Sequence, residues 1–256
     1  MSIAACAEIV QRGDPDRFQA SMAAPPEARK VLFPLYAFNV EIARAPWVTK
    51  EALIAEMRLQ WWHDVLDEIQ TGKAVRSHEV THPLADVLDA EGARLLKACV
   101  AARQWDIYTE PFEDFDAFVG HIETTSSTFT WVVARALGAS AHAEDAVRNY
   151  AWGTGLGAWF RAIPELEARG RFPVYDGRPD TVRALANMGL TRIKYGRLRR
   201  DEISKGAAPA LYAGALNIPA VKKAAKHPVA VAAGTVAASE FQKRLILLRV
   251  GLLGRW

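Results

Sequence analysis

Apolar residues recur at helical spacing along most of this 256-residue chain. Between Thr49 and Ile69 the apolar side chains follow one another three or four residues apart, which predicts a helix with Thr49 as its N-cap and Gly72 as its stop. Almost no segment alternates with the period of two that a half-buried strand requires. The sequence therefore predicts an all-α protein, with further helices over 84–107, 114–138, 144–168, 180–200 and 229–253.

Length and composition indicate one domain. Half of the residues are apolar, and no Gly/Ser-rich or Pro-rich linker divides the chain, so we predict a single domain over residues 1–256. The two cysteines form no C-x-x-C pair, and the N-terminus lacks the basic start of a secretory signal. No apolar run approaches the roughly 20 residues of a membrane span. These features predict a cytoplasmic protein, either soluble or peripheral at the membrane.

Positive charge is concentrated in the last part of the chain. Residues 183–256 carry 14 Lys and Arg against 3 Asp and Glu, whereas residues 1–182 carry 18 against 26. A basic, apolar-rich segment suits an anionic membrane surface or an acidic partner. No recognised nucleic-acid motif accompanies the charge, and we expect no nucleic-acid partner.

The segment from about 239 to 256 is basic and amphipathic. Its apolar residues lie about one helical turn apart, and basic residues are interspersed among them. In one interpretation the segment lies on anionic lipid, with Trp256 at the interface. In the other it is a terminal helix docked on the core, with its basic residues in solvent. The predicted membrane-surface residues are Lys243, Arg244, Arg249, Arg255 and Trp256.

A short motif links the chain to a known family. Residues 160–171 read F-R-A-I-P-E-L-E-A-R-G-R, which resembles the R-D-x-x-x-D-x-x-x-G-R motif of the squalene/phytoene synthase family of isoprenoid synthases. In the family motif, carboxylates at i and i+4 share a helix face and hold Mg²⁺, which neutralises the departing diphosphate. Here the two aspartate positions hold Ala162 and Leu166, and neither side chain provides an oxygen ligand.

The family's second metal motif, Y-A-F-C-R-x-x-D-D-x-x-D, is altered in the same way. The corresponding residues, 36–47, read Y-A-F-N-V-E-I-A-R-A-P-W. The aspartate positions are Ala43, Arg44 and Trp47. A cation in the place of an anion repels Mg²⁺. We therefore predict no catalytic residue, no metal site and no cofactor.

Within the family, the chain resembles the non-catalytic branch related to complex I assembly factor 6. The resemblance runs from about residue 5 to the C-terminus. It implies a helical bundle of the isoprenoid synthase type around a central apolar cavity, and a role in assembling respiratory complex I at the cytoplasmic face of the inner membrane. The implied partners are complex I subunits or assembly intermediates, and the cavity is expected to suit a lipid or prenyl chain. The similar segments are A-F-N-V-E-I-A (37–43), M-R-L-Q-W-W (57–62), E-T-T-S-S (123–127) and R-A-I-P (161–164).

Polar residues within these segments are the candidates for binding a ligand or a partner. A polar patch within an apolar helix needs hydrogen-bond partners if it is buried, and we expect the patch at 123–127 to line the remnant pocket near Arg161. Alternatively, the hydroxyl groups of this patch donate hydrogen bonds to backbone carbonyls instead of facing the pocket. For Asn39, Glu41 and Arg44 the alternative is an exposed helix face, on which these side chains are solvated and pair locally. The candidates are Asn39, Glu41, Arg44, Glu123, Thr125, Ser127 and Arg161.

Two other functions compete with the assembly role. One is an active Mg²⁺-dependent prenyl transferase making squalene or phytoene, which requires other metal ligands such as Glu41, Glu123 and Glu165. The other is a carrier of a lipid, prenyl chain or quinone with no dedicated protein partner. Gly153, Gly155 and Gly157 are interpreted as close helix packing rather than as a nucleotide loop, because no strand precedes them.

Overall fold

The structure, a computed structural model, describes residues 2–256, and the regular structure in this range is helical. This confirms the predicted all-α class. The α-helices are Ile3–Gly13 (α1), Pro15–Met22 (α2), Pro26–Arg44 (α3), Ala52–Gln70 (α4), Thr81–Ala85 (α5), Ala90–Ala102 (α6), Phe115–Ile122 (α7), Phe129–Ala136 (α8), Glu144–Ala168 (α9), Pro179–Leu198 (α10), Tyr212–Ala215 (α11), Ile218–Lys226 (α12), Val229–Ala232 (α13) and Glu240–Leu253 (α14).

Most predicted helices lie where the apolar pattern places them. The prediction over 144–168 coincides with α9, and that over 180–200 corresponds to α10. α4 stops as predicted, because Gly72 takes a left-handed φ of 69°. Its start was predicted wrongly. The helix begins at Ala52, and the Thr49 hydroxyl accepts the Glu51 N–H one residue before it.

Two predicted helices are divided by local signals. The prediction over 84–107 was too long, since α6 starts only after the Asp89 side chain accepts the Gly92 N–H as a cap. The single helix predicted over 229–253 is wrong. Gly234 has a left-handed φ of 67°, which ends α13, and Ser239 starts α14 with a capping box that includes Gln242.

A π-helical segment interrupts the helical run between α7 and α8. It covers Glu123–Thr128, the polar patch identified in the sequence. Because a π-helix places one extra residue in its turn, the side chains that follow are rotated relative to an α-helix. Such segments occur frequently at functional sites.

The long helix α9 crosses the middle of the bundle and has a small-residue face. A Cβ added at Gly153 would lie 2.4 Å from the Gly189 backbone oxygen of α10, and one at Gly157 would lie 2.5 Å from the Asn217 backbone oxygen. Neither neighbour is a flexible side-chain end, so only glycine permits these approaches. The interpretation of the 153–157 glycines as packing residues is confirmed.

Buried apolar side chains form a core that includes residues from α1 through to Trp256. The largest of them come from several helices, with Phe38 on α3, Phe118 on α7, Trp131 on α8, and Trp152 and Phe160 on α9. α9 supplies many of these core residues, and its other residues either line a central cavity or are exposed to solvent.

Candidate functional site

The central cavity has a volume of about 450 Å³. It is bounded by the start of α2, by α3, by the π-helical segment and α8, by α9, and by residues 210–217. Apolar side chains such as Phe129, Val133 and Leu211 form part of the wall. The remainder is polar, so the cavity of this chain combines an apolar surface with charged groups.

Arg161 is the centre of a charge network at the cavity wall. Its Nη2 donates to Asp16 Oδ2 at 2.7 Å, and its Nη1 donates to Asn217 Oδ1 at 2.6 Å. The other Asp16 oxygen accepts a hydrogen bond from Lys243 Nζ of α14 at 2.9 Å. Lys243 also pairs with Glu240 at 2.9 Å. One carboxylate therefore joins α2, α9 and α14.

The pKa values of this network reflect the pairing. Burial by itself raises the pKa of Asp16, but the hydrogen bonds and positive charges of Lys243 and Arg161 outweigh it and leave the pKa below its ordinary value. Burial likewise lowers the pKa of Lys243, and the hydrogen bonds to Asp16 and Glu240 reverse this and raise it. Both groups are therefore charged at neutral pH.

A second arginine of the cavity is also neutralised. Arg17 lies 3.6 Å from Asp14, and its guanidinium stands 5.1 Å from the ring centres of both Tyr36 and Phe129. Each cavity arginine thus lies beside an aspartate, Arg17 beside Asp14 and Arg161 beside the Asp16 that it shares with Lys243. Little uncompensated charge remains at the wall.

Ala162 and Leu166, the α9 residues compared with the aspartates of the family motif in the sequence analysis, carry no oxygen into the cavity. Ala162 lines it next to Arg161, whereas Leu166 is buried and does not reach it. Glu165 and Glu167, on either side of Leu166, are exposed, and Glu165 pairs with Arg169. At Ala162 the face of α9 that lines the cavity therefore carries a methyl group.

The 36–47 segment, which was compared with the second family motif, contributes to a second cleft of about 570 Å³ at the end of α3. Asn39, Ala43, Arg44 and Trp47 line it together. Asn39 is buried, and Arg44 pairs with Glu41 at 3.3 Å, the local pairing that the sequence left as an alternative.

The segments 36–47 and 160–171 meet at Trp47. The guanidinium carbons of Arg169 and Arg171, just after α9, lie 4.6 and 5.3 Å from the centre of its ring. At these distances both guanidinium groups make cation–π contacts with the ring. The fold thus still brings the ends of α3 and α9 together, but through an aromatic ring and cations.

Thr125 and Ser127 do not reach the cavity, which corrects the prediction that the polar patch lines it with these residues. The Thr125 hydroxyl donates to the His121 backbone oxygen at 2.7 Å, and that of Ser127 donates to the Arg148 backbone oxygen at 3.1 Å. Ser126 between them lines the cavity instead. The π-helical geometry decides which of three neighbouring residues points inwards.

Glu123 is held by two arginines, Arg148 at 3.2 Å and Arg192 at 3.7 Å. It is therefore not grouped with Glu41 or Glu165, and the alternative metal site proposed from these three glutamates does not assemble. Within residues 2–256, one group of three potential metal-binding side chains lies close together, His63, Asp64 and Asp67 of α4. Two of its members pair with basic residues, Asp64 with Arg76 and Asp67 with Lys97.

The last segment contains both buried and exposed residues. Trp256 is 3% exposed and packs against Tyr150 with ring centres 4.5 Å apart, and Lys243 is buried in the Asp16 network. These two predicted membrane-surface residues were therefore assigned wrongly, because core packing and an ion pair cover them. Arg244, Arg249 and Arg255 are exposed as predicted. No helix within residues 2–256 combines the length and apolar character needed to cross a bilayer.

Several cavity residues were missed in the sequence. Asp14, Asp16 and Asn217 gave no local pattern that pointed to a site, and Tyr36 was compared with the family motif without being named as a candidate. Asp16 and Arg161 are 145 residues apart, and Asp16 and Lys243 are 227 apart. The only signal was the pair of aspartates around Pro15, which also reads as an ordinary helix start.

Comparison with solved structures defines the class of the fold. The structure of a dehydrosqualene synthase in complex with ligand matches with a TM-score of 0.81, covering 99% of this chain and 97% of that chain at 13% identity. At this identity the likeness concerns the fold, which is that of an isoprenoid synthase. The squalene/phytoene synthase family model matches residues 10–175, and the chain belongs to the squalene/phytoene synthase family.

Several curated relatives are named as assembly factors rather than as synthases. The chain is 26% identical over 179 residues to NADH dehydrogenase (ubiquinone) complex I, assembly factor 6 of Bos taurus, a match covering 65% of this chain and 50% of the relative. The human protein of that name is 25% identical over 172 residues, covering 62% and 48%. The Drosophila melanogaster homolog is 28% identical over 167 residues, covering 62% and 50%. The chain spans about half the length of the curated relatives it matches.

Proposed function

We propose that this chain is a non-catalytic member of its family and acts as an assembly factor for respiratory complex I. The proposed lack of catalysis rests on the cavity wall at Ala162. A methyl group lies where the family motif has a carboxylate, and the adjacent Arg161 is neutralised by Asp16.

The physical argument concerns the departure of diphosphate. Ionisation of an allylic diphosphate depends on preorganised positive charge at the leaving group, which Mg²⁺ supplies when carboxylates hold it. Ala162, Leu166, Ala43, Arg44 and Trp47 offer no carboxylate. Of the glutamates near these positions, Glu41 pairs with Arg44 and Glu165 pairs with Arg169. We therefore infer that the cavity neither holds the metal nor ionises the substrate.

The proposed partner rests on the relatives. They are named as assembly factors of complex I, and the matched regions cover about half of their length. We propose that this chain binds complex I subunits or assembly intermediates, at the cytoplasmic face of the inner membrane. Free, buried Cys6 and Cys99 are compatible with a reducing compartment.

One experiment tests the loss of catalysis. Purified protein is incubated with farnesyl or geranylgeranyl diphosphate and Mg²⁺, and pyrophosphate release is measured beside an authentic synthase. We expect release at background. Release above background that disappears in a Glu123→Gln or Glu41→Gln variant would contradict the proposal and identify the metal ligands.

A second experiment tests the assembly role. A deletion strain is examined for assembled complex I on native gels and for NADH oxidation by its membranes. We expect both to fall and to recover when the wild-type chain is supplied. Normal complex I in the deletion strain would reject the assembly role without restoring the catalytic one, so the two parts of the proposal are separable.

The cavity supports a further candidate function, the holding of an apolar ligand. Its wall includes Phe129, Val133 and Leu211, and binding of a lipid, prenyl chain or quinone to such a wall needs no metal. Organic extraction of the purified protein tests this. An Ala162→Phe variant fills the cavity and is expected to lose the ligand, whereas the matched Ala168→Phe variant, at an exposed position of α9, is expected to keep it.

A further inference from the structure

The outer face of α14 exposes an apolar stripe. Phe241, Leu245, Leu248 and Leu252 are between 57% and 76% exposed. At about 100° per residue these four side chains fall within about 60° of one another around the helix. Four large apolar side chains on one unpartnered face form a contiguous patch of the kind that marks an interaction surface.

The opposite face fixes this helix to the body of the protein. Leu247 and Val250 are buried in the core, and Lys243 forms the ion pair with Asp16. Ser239 and Gln242 form a capping box at the N-terminal end. The exposed stripe is therefore presented on an anchored helix.

Unpaired arginines flank the stripe. On the helical wheel, Arg244 lies on one side of the four apolar residues and Arg249 on the other, and Arg255 follows the helix. None of the three forms an ion pair with an acidic residue within 2–256, although most arginines elsewhere in that range do so.

A basic pocket of about 210 Å³ adjoins the same helix. Four cations line it, Arg197, Lys222, Arg249 and Arg255, and its lining includes no aspartate or glutamate. Arg197 Nε donates to the Trp256 backbone oxygen at 2.9 Å, which holds this guanidinium in place. The pocket is suited to a phosphate group next to the apolar stripe.

We propose that α14 binds the surface of an anionic phospholipid bilayer. The helix lies in the plane of the membrane, with the stripe among the acyl chains and the flanking cations on headgroup phosphates. Charge complementarity selects this occupant. A two-fold contact with a second copy would place the arginines of both copies against one another, which is unfavourable.

The test is co-sedimentation of the full chain with vesicles of phosphatidylcholine, with and without phosphatidylglycerol. We expect binding to the anionic vesicles only, weakening as salt is raised. The triple variant Arg244→Gln, Arg249→Gln, Arg255→Gln is expected to bind roughly 100-fold more weakly, from about fivefold per arginine. The double variant Phe241→Ser, Leu252→Ser is expected to lose more than roughly tenfold.

Matched controls come from α4 and its neighbours. Lys50→Gln, Arg58→Gln, Lys73→Gln removes the same charge from exposed positions elsewhere. Leu53→Ser, Met57→Ser changes two side chains that are 67% and 64% exposed. Both controls are expected to bind as the wild type does. Equal loss in the controls, equal binding to neutral vesicles, or no binding by the wild type would overturn the proposal. A dimer in light scattering that the Phe241→Ser, Leu252→Ser variant dissociates would assign the face to a second copy instead.

Discussion

Arginines lie beside aspartates in the central cavity but have no acidic partner within residues 2–256 on the outer face of α14. In the cavity, Arg17 and Arg161 each have an aspartate beside them. On the outer face, Arg244 and Arg249 have none within residues 2–256. A buried charge requires a partner because desolvation is costly, whereas an exposed cation is stable in water and remains free for an external anion.

Lys243 connects these two regions, since it belongs to α14 and pairs with Asp16 at the cavity wall. The comparison teaches that charge count alone does not locate a binding surface. The basic last third of the chain contains residues that complete the core as well as residues that are free to bind. The following predictions test that division, from the largest expected effect to the smallest.

Trp256→Ala is expected to lower the free energy of unfolding by about 3–5 kcal/mol, because a large buried side chain leaves a cavity against Tyr150. Phe241→Ala, on the exposed face of the same segment, is expected to change it by less than about 0.5 kcal/mol. Urea unfolding of the two variants measures both. Similar effects of the two substitutions would contradict the distinction between Trp256, docked on the core, and Phe241, exposed on the outer face.

Asp16→Ala is expected to cost about 2–3 kcal/mol, since it leaves Arg161 and Lys243 without their shared anion. The figure is below that of a fully buried pair because Asp16 keeps some contact with solvent. Glu240→Ala removes the exposed partner of Lys243 and serves as the control, with an expected cost below about 1 kcal/mol. Equal costs would mean that the cavity network contributes no more than a surface pair.

Acid is expected to destabilise the protein through His121. Burial, with a smaller contribution from Arg103, lowers the pKa of His121 to about 3, from 6.5 in an unfolded chain. Between these values the unfolded state binds the extra proton, so stability is intact above pH 6.5 and falls as the pH decreases towards 3, by about 1.4 kcal/mol per pH unit from this residue. The measurement is the free energy of unfolding against pH. A His121→Asn variant is expected to show a shallower slope, and an unchanged slope would exclude His121 as its source.

Trp47→Ala is expected to lower the free energy of unfolding by about 1–2 kcal/mol, from two partly exposed cation–π contacts with Arg169 and Arg171. Trp47→Phe keeps a smaller aromatic face and is expected to retain part of this energy. Thermal unfolding of both variants shows which of the two is less stable. A Trp47→Phe variant as unstable as Trp47→Ala would show that ring size rather than the cation–π contact matters at the junction of α3 and α9.

Much of the fold was predictable because its signals are local. Helical spacing located α9 and α10, and Gly72 marked the end of α4. The error over 229–253 had a local cause too, since the Gly234 turn and the Ser239 cap lie inside a stretch whose apolar pattern continues across them. Thr125 and Ser127 could not be placed, because their direction depends on a π-helical turn that spacing arguments for an α-helix do not contain.

The sequence by itself determined the helical class, the absence of carboxylates at Ala43, Arg44, Trp47, Ala162 and Leu166, and the basic character of the last third of the chain. Only the tertiary structure decided that Asp16 neutralises Arg161 and Lys243, that Trp256 is buried, and that the stripe of α14 is exposed. The physical reason is the sequence separation of the interacting residues. Helix formation depends on residues a few positions apart, whereas partners 145 and 227 residues apart are brought together only by packing.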